Sequence, residues 1–577
     1  MLDVVGIALD ADLIMAWRMR LERALLHLGW PTPQSAVRNH EGGVSLALVA
    51  PLDQLFLATE INEWALCASL YQRDPERWHQ LQSLLVNAAI ENAPEGEPPA
   101  ADNLPVLEEQ AAFERFLRLQ RIESRPALRS LLIAASARQL AFTTDDAIVT
   151  LGSGEGARSF PLERLPAENE VPWQEVFNVP TVLVTGSNGK TTTVRLLAAL
   201  ARAQGLRVAY NCTDGVFLDD EQLAQGDYSG PEGTRRVIRE PRAQFAVLET
   251  ARGGILRRGI AVSQADAALV TNVSADHFGE YGIYDIAGLA AVKLAVAGVV
   301  SRNGHLLLNA EDAELCAQAP ALERRFSRPF NFGWFSAGAA RAPRELLPSA
   351  SFRCEVEDGR LKLHREGAVH DLGPVATMPL TVEGIARYNL ANIAGAALAA
   401  ASVGISPETM RVVLMRFGTD SLDNPGRLMR FEARGVTVLV DYAHNPDGLR
   451  GFLAVAEHLK GPGRLGLLLG HAGNRTDQDI RELARVAAEF RPDFVVVKEN
   501  EAYLRGRQPG EIPEILATEL KRLGVRENLI AAADNEIDAA RRVLAWAKAG
   551  DVLALPVHSL EARNAVIELL SASSANR

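Results

Sequence analysis

The sequence predicts an α/β fold in three domains: a parallel-sheet domain built on a phosphate-binding P-loop, a Rossmann-like α/β domain after it, and an α+β domain before both. Three observations predict it. From residue 181 onward short apolar runs alternate with helical stretches, the pattern of a parallel sheet covered by helices. The first of these runs passes at once into a Gly-rich turn and a helix. A second alternation begins near Pro425-Gly426-Arg427. At roughly 100–200 residues per domain, 577 residues hold several cores without disulfide or metal staples.

Taken in order, residues 1–172 mix an amphipathic helix over 11–28, an apolar strand over 44–50 and a helical stretch around 113–119. They close on a hairpin over 139–151 turned at Asp145-Asp146, with a loop at 95–100 and a linker over 161–172. The middle domain, 173–424, carries strands at 181–185, 207–210, 245–249, 267–272 and 305–309. It also carries helices at 193–204 and 286–300, and ends on an Ala-rich buried helix over 389–401. The last domain, 425–577, has strands at 436–441, 464–470, 493–498 and 551–556, with a helix over 479–490.

Composition narrows the function classes. A hydrophobic fraction of 47% with 23% charged residues, and a mean hydropathy of −0.01, describe a soluble globular chain. No run approaches the roughly 20 apolar residues of a membrane span. Sixty Lys and Arg against 72 Asp and Glu give −12, which repels a nucleic acid over most of the surface. Cys67, Cys212, Cys316 and Cys354 are widely spaced and read as buried thiols of a reducing cytoplasm. The first 20 residues have acids inside the apolar run and lack a basic export signal.

The strongest chemical signal is Gly186-Ser187-Asn188-Gly189-Lys190-Thr191-Thr192 between a strand and a helix. Glycines let the backbone N–H groups cradle phosphate, the helix N-terminus adds positive potential, Lys190 reaches the terminal phosphates and Thr191 can ligate magnesium. Glu249 ends the strand over 245–249, where a metal-binding carboxylate is needed at the C-terminal edge of the sheet. On its own it reads equally as a surface carboxylate. Asp276-His277 follows a third strand, with His277 able to offer a neutral nitrogen to a metal and Asp276 to orient it; the alternative is a cap in a loop. Lys293 lies among Ala, Leu and Val on its helix, an odd place for an unpaired charge unless it is a snorkelling surface lysine. His444 and Asn445 either line a cleft or shape the turn before Pro446. Arg505 and Arg507 suit carboxylate recognition or form a solvated basic loop.

In this order GSNGKTTT, LETARGGILRRG, TNVSADHFG, the VK at Lys293, RYNLANIAGAAL, NPGR, DYAHNPDGL and KENEAYLRGRQPGEI resemble the Mur ligase family, from about residue 175 to the end. TDG at 213–215, ETARGGILR and RGRQPGE are similar to its cyanophycin synthetase branch, and the region around 43–66 resembles the N-terminal domain of that branch. The resemblance implies a ligase that phosphorylates a carboxylate with ATP and lets an amino acid amine displace the phosphate. It implies ATP and two magnesium ions, with Thr191, Glu249 and His277 as metal ligands and a carbamylated Lys293 as a further one. Lys190, Glu249, His277 and Lys293 are then the catalytic set. Asn389 or Asn392 contacts adenine, Arg427 and Asp441 reach the phosphates and ribose, and Arg252, His444, Asn445, Arg505 and Arg507 face the substrates.

One departure concerns organisation: the branch carries an ATP-grasp domain where this chain has only the linker over 161–172. Of the two steps of the branch, the implied one is addition of arginine to an aspartate side chain of a peptide or polymer. The other would fall to a separate protein such as a full-length cyanophycin synthetase. Asn474-Arg475-Thr476-Asp477 departs from the Gly-Asp-Arg pattern of relatives, which bears on the amine. The resemblance also implies a homo-oligomer. Two other readings of the same residues are a non-catalytic partner that binds polymer through residues 1–172, and a generic P-loop NTPase.

Overall fold

The computed structural model describes residues 1–5, 9–30, 34–40, 43–76, 108–275, 278, 282–338, 352–499 and 504–575. The loop expected at 95–100, and Asp276 and His277, lie outside the described residues. The chain forms two compact units: Met1–Gln139 with Phe160–Pro172 and Phe278–Tyr284, and Leu140–Ser159 with Trp173–His277 and Asp285–Arg577.

The first unit places helices Ala11–His27, Leu55–Arg73 and Glu109–Glu123 with an antiparallel sheet of β1 (Leu2–Val5), β3 (Gly43–Leu48) and β2 (Ser35–His40), in that order. The 3.6-residue spacing of Leu13, Trp17, Leu21 and Ala24 buries one face of the first helix. Asp10 caps it by accepting from the Leu13 N–H at 2.8 Å. Trp17 is wholly buried, and its indole N–H has a partner in Asn62 Oδ1 at 2.9 Å.

The second unit opens with the expected hairpin, β4 (Phe142–Thr144) and β5 (Ile148–Leu151), followed by β6 (Arg158–Pro161). Asp145 Oδ1 accepts the N–H groups of Ala147 and Ile148, both at 2.9 Å, and so shapes the turn. The large sheet then runs through β7 (Thr181–Thr185), β8 (Val208–Cys212), β9 (Gly215–Leu218), β10 (Glu221–Gln225), β11 (Phe245–Glu249), β12 (Ala265–Val270), β13 (Val300–Asn309), β14 (Asn331–Ser336), β15 (Arg353–Glu357), β16 (Arg360–Arg365) and β17 (Ala368–Pro374). Its order is β10-β9-β8-β11-β7-β12-β13-β14-β15-β16-β17. The strands from β8 to β15 pair in parallel, while hairpins add antiparallel strands at both edges. The Ala-rich helix Arg387–Ser402 is buried along most of its length against the Lys190–Ala203 helix, β13 and β14.

A second sheet follows, from β18 (Met429–Ala433), β19 (Val436–Asp441), β20 (Leu465–Leu469), β21 (Phe494–Lys498), β22 (Ile530–Ala533) and β23 (Val552–Pro556). Its order is β18-β19-β23-β20-β21-β22, parallel except for β18. The P-loop helix starts at Lys190, one turn earlier than the apolar pattern suggests, because the loop glycines bend the chain directly into it. The helix expected over 286–300 ends at Lys293. A 3₁₀ segment, Leu294–Val299, leads into β13; its Val296, Gly298 and Val299 are poor helix formers and end the α-helix early. Cys67, Cys212 and Cys354 are buried free thiols, whereas Cys316 is only half-buried on its helix. No described helix is long and apolar enough to cross a membrane.

Candidate functional site

Parallel pairing brings the C-terminal ends of β11, β7 and β12 side by side, so Glu249, the loop after Thr185 and the loop after Val270 share one edge. β7 is fully buried. Gly186 and Gly189 then turn with φ of +150° and +84°. A Cβ at Gly186 would lie 1.8 Å from Thr271 Oγ1 and one at Gly189 would lie 2.0 Å from Asn392 Oδ1, so both positions require glycine.

The loop is bolted from behind by residues 271–274. Thr271 Oγ1 and Asn272 Nδ2 donate to the Asn188 carbonyl at 2.6 and 3.1 Å. Asn272 in turn accepts the Asn188 N–H at 2.9 Å through Oδ1 and the Ser187 N–H at 2.9 Å through its carbonyl. The Ser274 N–H donates to Ser187 Oγ at 3.0 Å. Lys190 folds over its own loop, with Nζ 3.0 Å from the carbonyls of Gly186 and Ser187.

Thr191 Oγ1 donates to Glu249 Oε2 at 2.9 Å and lies 3.3 Å from Thr213 Oγ1. Glu249 has no exposed surface, and its second oxygen, Oε1, makes no hydrogen bond. Burial pushes its carboxyl up to about 7, against the pull of Lys190 and Thr191. A buried carboxylate with an open oxygen beside a threonine hydroxyl is a hard-oxygen donor set that fits magnesium. Asn211 holds this corner by donating from Nδ2 to the Glu249 carbonyl at 2.9 Å.

The second sheet supplies the other wall. Arg427 Nη2 donates to Thr213 Oγ1 at 3.3 Å, and its guanidinium lies 4.4 Å over the Tyr442 ring. Asp441, also buried, accepts the N–H groups of Leu428 and Ala443, both at 2.7 Å, and so ties the Arg427 turn to the end of β19. Asn445 caps the Pro446–Lys460 helix and also donates to Asn188 Oδ1 at 2.9 Å. His444 is half-buried, its ring 5.2 Å from that of Tyr442. Asn424 donates to Thr192 Oγ1 at 3.2 Å.

Asn389 and Asn392 are both buried. Asn389 donates to the Leu380 carbonyl at 2.9 Å, and Asn392 backs Gly189. Lys293 is buried at the end of its helix, and the helix Arg252–Arg258, with Arg252 buried at its start, packs on that helix. Arg507 is spent inside its own sheet domain: Nε donates to the Gly473 carbonyl at 3.0 Å, Nη2 to the Arg475 carbonyl at 2.7 Å and to Asp477 at 2.8 Å, and Nη1 pairs with Glu511. Arg505 is exposed. The structure therefore joins Asn188, Lys190, Thr191, Glu249, Asn392, Arg427 and Asn445 in one cluster, and keeps Arg507 as a brace of the 473–477 turn.

Sequence reasoning missed Thr213, Asp214, Asn211, Arg195, Asn424 and Arg563. The TDG and NPGR motifs held the first, second and fifth in plain view, whereas Arg195 and Arg563 sit in helices with no motif. A cavity of about 1870 Å³ opens beside Thr213, with Arg195, Asp214, Asn424, Arg427 and Arg563 in its lining. Its lining takes Arg195, Ala199 and Arg202 from the P-loop helix and does not include Lys190.

A strand, phosphate loop and helix facing a second parallel sheet define a class. The Mur ligase middle domain matches residues 184–400 and the Mur ligase glutamate ligase domain matches residues 426–555; over these stretches the chain belongs to the Mur ligase family. Among individual relatives it is similar to cyanophycin synthetase of Geminocystis herdmanii, 32% identical over 436 residues, 74% of this chain and 48% of that protein. Cyanophycin synthetase of Nostoc sp. is 34% identical over 346 residues, 60% of this chain and 37% of that protein. The match thus spans less than half of either relative. Folylpolyglutamate synthase of Mycobacterium tuberculosis complexed with ADP is similar in structure at 20% identity and a TM-score of 0.48, covering 68% of this chain and 90% of that one.

Proposed function

We propose that this chain is an ATP-dependent amide ligase organised as residues 1–172, 173–424 and 425–577. In this reading it joins an amino acid to a carboxylate of a peptide or polymer, with arginine and an aspartate side chain as the preferred pair. The observation that carries this reading is the buried Glu249, hydrogen-bonded to Thr191 of the phosphate loop and left with one open oxygen. Likeness to cyanophycin synthetases supports the choice of substrates.

A carboxylate oxygen attacks the γ-phosphorus of ATP, ADP leaves, and an acyl phosphate forms. The amine then attacks the acyl carbon, phosphate leaves with that oxygen, and a proton is released. The obstacle is charge, since two anions must meet. Lys190, Arg427 and the loop N–H groups bind and orient the phosphates. Thr191, Glu249 and His277 would hold one magnesium ion and a carbamylated Lys293 a second, and these ions would lend positive charge to the transferring group. Asn389 or Asn392 contacts the adenine, and Asp441, through its backbone bonds, keeps Arg427 in place. Arg252, His444, Asn445 and Arg505 are the groups offered to the substrates, while Arg507 holds the turn beside them. A full-length cyanophycin synthetase as partner and a homo-oligomeric state belong to the same proposal.

A phosphate-release screen tests it: twenty amino acids against poly-aspartate, an aspartyl-arginine dipeptide and cyanophycin-like acceptors. Release that needs both an amine and a carboxylate, and is largest with arginine, is the expected result. ATP turnover without either substrate would point to a generic NTPase, and no turnover across the panel to a binding partner. Unchanged turnover in Lys293→Ala would remove the carbamate role.

A further inference from the structure

Asp214 is a buried carboxylate one residue past Thr213, and two guanidinium groups claim it from opposite sides. Arg195, on the P-loop helix, donates from Nη2 to Oδ2 at 3.0 Å. Arg563, on the C-terminal helix Leu560–Ala575, donates from Nη2 to Oδ1 at 2.9 Å across 349 positions of sequence. All three residues are at most 9% exposed. Burial alone would raise the Asp214 carboxyl, but Arg427, Arg563 and Arg195 together outweigh it and hold the group below the usual carboxylate range.

The same arginine meets the turn that carries Arg427. Arg563 Nη1 lies 3.5 Å from the Pro425 carbonyl. Gly426, at φ +70°, leaves it room, for a Cβ there would fall 2.5 Å from Nη1. Arg427, the next residue, touches Thr213 at 3.3 Å, and Thr213 adjoins Asp214. The two ends of the Arg427 to Thr213 contact are thus fastened to the two ends of one ion pair.

We propose that Asp214 and Arg563 are positioning residues, a clamp between the β8–β9 turn and the C-terminal helix of the second sheet's domain that holds Arg427 against Thr213 at the phosphate end of the site. Neither residue needs to touch the nucleotide; both act through Arg427. Removing Arg563 leaves Asp214 paired with Arg195, so such a variant frees the Arg427 turn without leaving a buried charge alone. Asp214, Arg563 and Arg427 all line the large cavity.

The test uses the full chain with R563M, R563K, D214N and R427A. In the nucleotide-free protein, hydrogen exchange at the amides of 426–428 should speed up about tenfold in R563M, the order of a coupling between contacting residues, and less in R563K. Mg-ATP affinity by calorimetry should fall about tenfold in R563M. The double variant R427A/R563M should bind no more weakly than R427A, because both changes remove one device. If R563M does not fold, D214N is read in its place. Exchange at 426–428 that R563M leaves unchanged, or losses that multiply in the double variant, would overturn the clamp. The calorimetric arm rests on the ligase reading above and the exchange arm does not, so a wild-type chain that fails to bind Mg-ATP sinks that reading alone.

Discussion

Glu249 and Lys190 carry opposite charge; burial pushes the Glu249 carboxyl up, and Lys190 pulls it down. Lys190 holds its charge over the carbonyls of its own loop. Replacing it with Ala takes the main cation from the loop and leaves the strand, the helix and the Asn272 and Thr271 contacts of the loop in place. Lys190→Ala should therefore keep the wild-type melting temperature and lose about 10²–10³-fold in phosphate release, the scale of a lost charge-stabilising contact; a steady-state assay beside a thermal melt checks both. The loop was legible in the sequence because its geometry is written in consecutive residues: two glycines, a lysine and two threonines between a strand and a helix. In the sequence Thr271 and Asn272 read as the end of a strand, yet they bolt the loop. Their role depends on strand order, which brings β12 beside β7, and no local spacing reveals that.

Among the elements, the end of the second sheet holds a buried charge network that belongs to its scaffold. Lys498, at the end of β21, pairs with Glu536 and donates to the Pro556 carbonyl at 2.7 Å. Glu536 accepts the N–H groups of His558 and Ser559, both at 2.9 Å. Removing one partner leaves the other buried and charged, so Lys498→Met should cost about 3–5 kcal/mol of unfolding free energy in urea melts. Burial, helped by Lys498, pushes His558 down to about 3, so the folded chain keeps it neutral. The unfolded chain takes up that proton near pH 6.5, and stability must fall as pH drops below this value toward 3. For Glu536 burial works upward, but Lys498 and His558 prevail and bring it down to about 2, which adds a loss below about pH 4.5. Urea melts at pH 5, 6 and 7 should show wild-type stability falling faster than that of His558→Gln; parallel slopes would refute the neutral histidine. The sequence displayed most of the parallel strands through their apolar runs, but not β14 and β22, nor the edge strands β15 to β17, whose half-exposed alternation resembles surface loop.

The whole molecule divides into two compact units, and both sheets of the ligase domains lie in the larger one. Each unit has its own core, one around Trp17, Leu46 and Ile61, the other spread over the two sheets. Scanning calorimetry should resolve two transitions, of which Mg-ATP raises only the larger, by about 2.7 kcal/mol at a hundredfold excess over Kd. A single transition that moves as one body would contradict this. Net charge first served only to set nucleic acid aside; at −12, an anionic acceptor meets a repelling surface, and the guanidinium groups concentrated around Asp214 and Thr213 are local exceptions to it. That concentration was invisible in composition because it joins residues 195, 427 and 563. The central claim is that a carboxylate is activated as an acyl phosphate, and oxygen transfer tests it most directly. An aspartate peptide labelled with ¹⁸O in its carboxylates, incubated with arginine and Mg-ATP, should yield inorganic phosphate carrying one labelled oxygen for each amide formed. Amide formation with unlabelled phosphate would contradict the account.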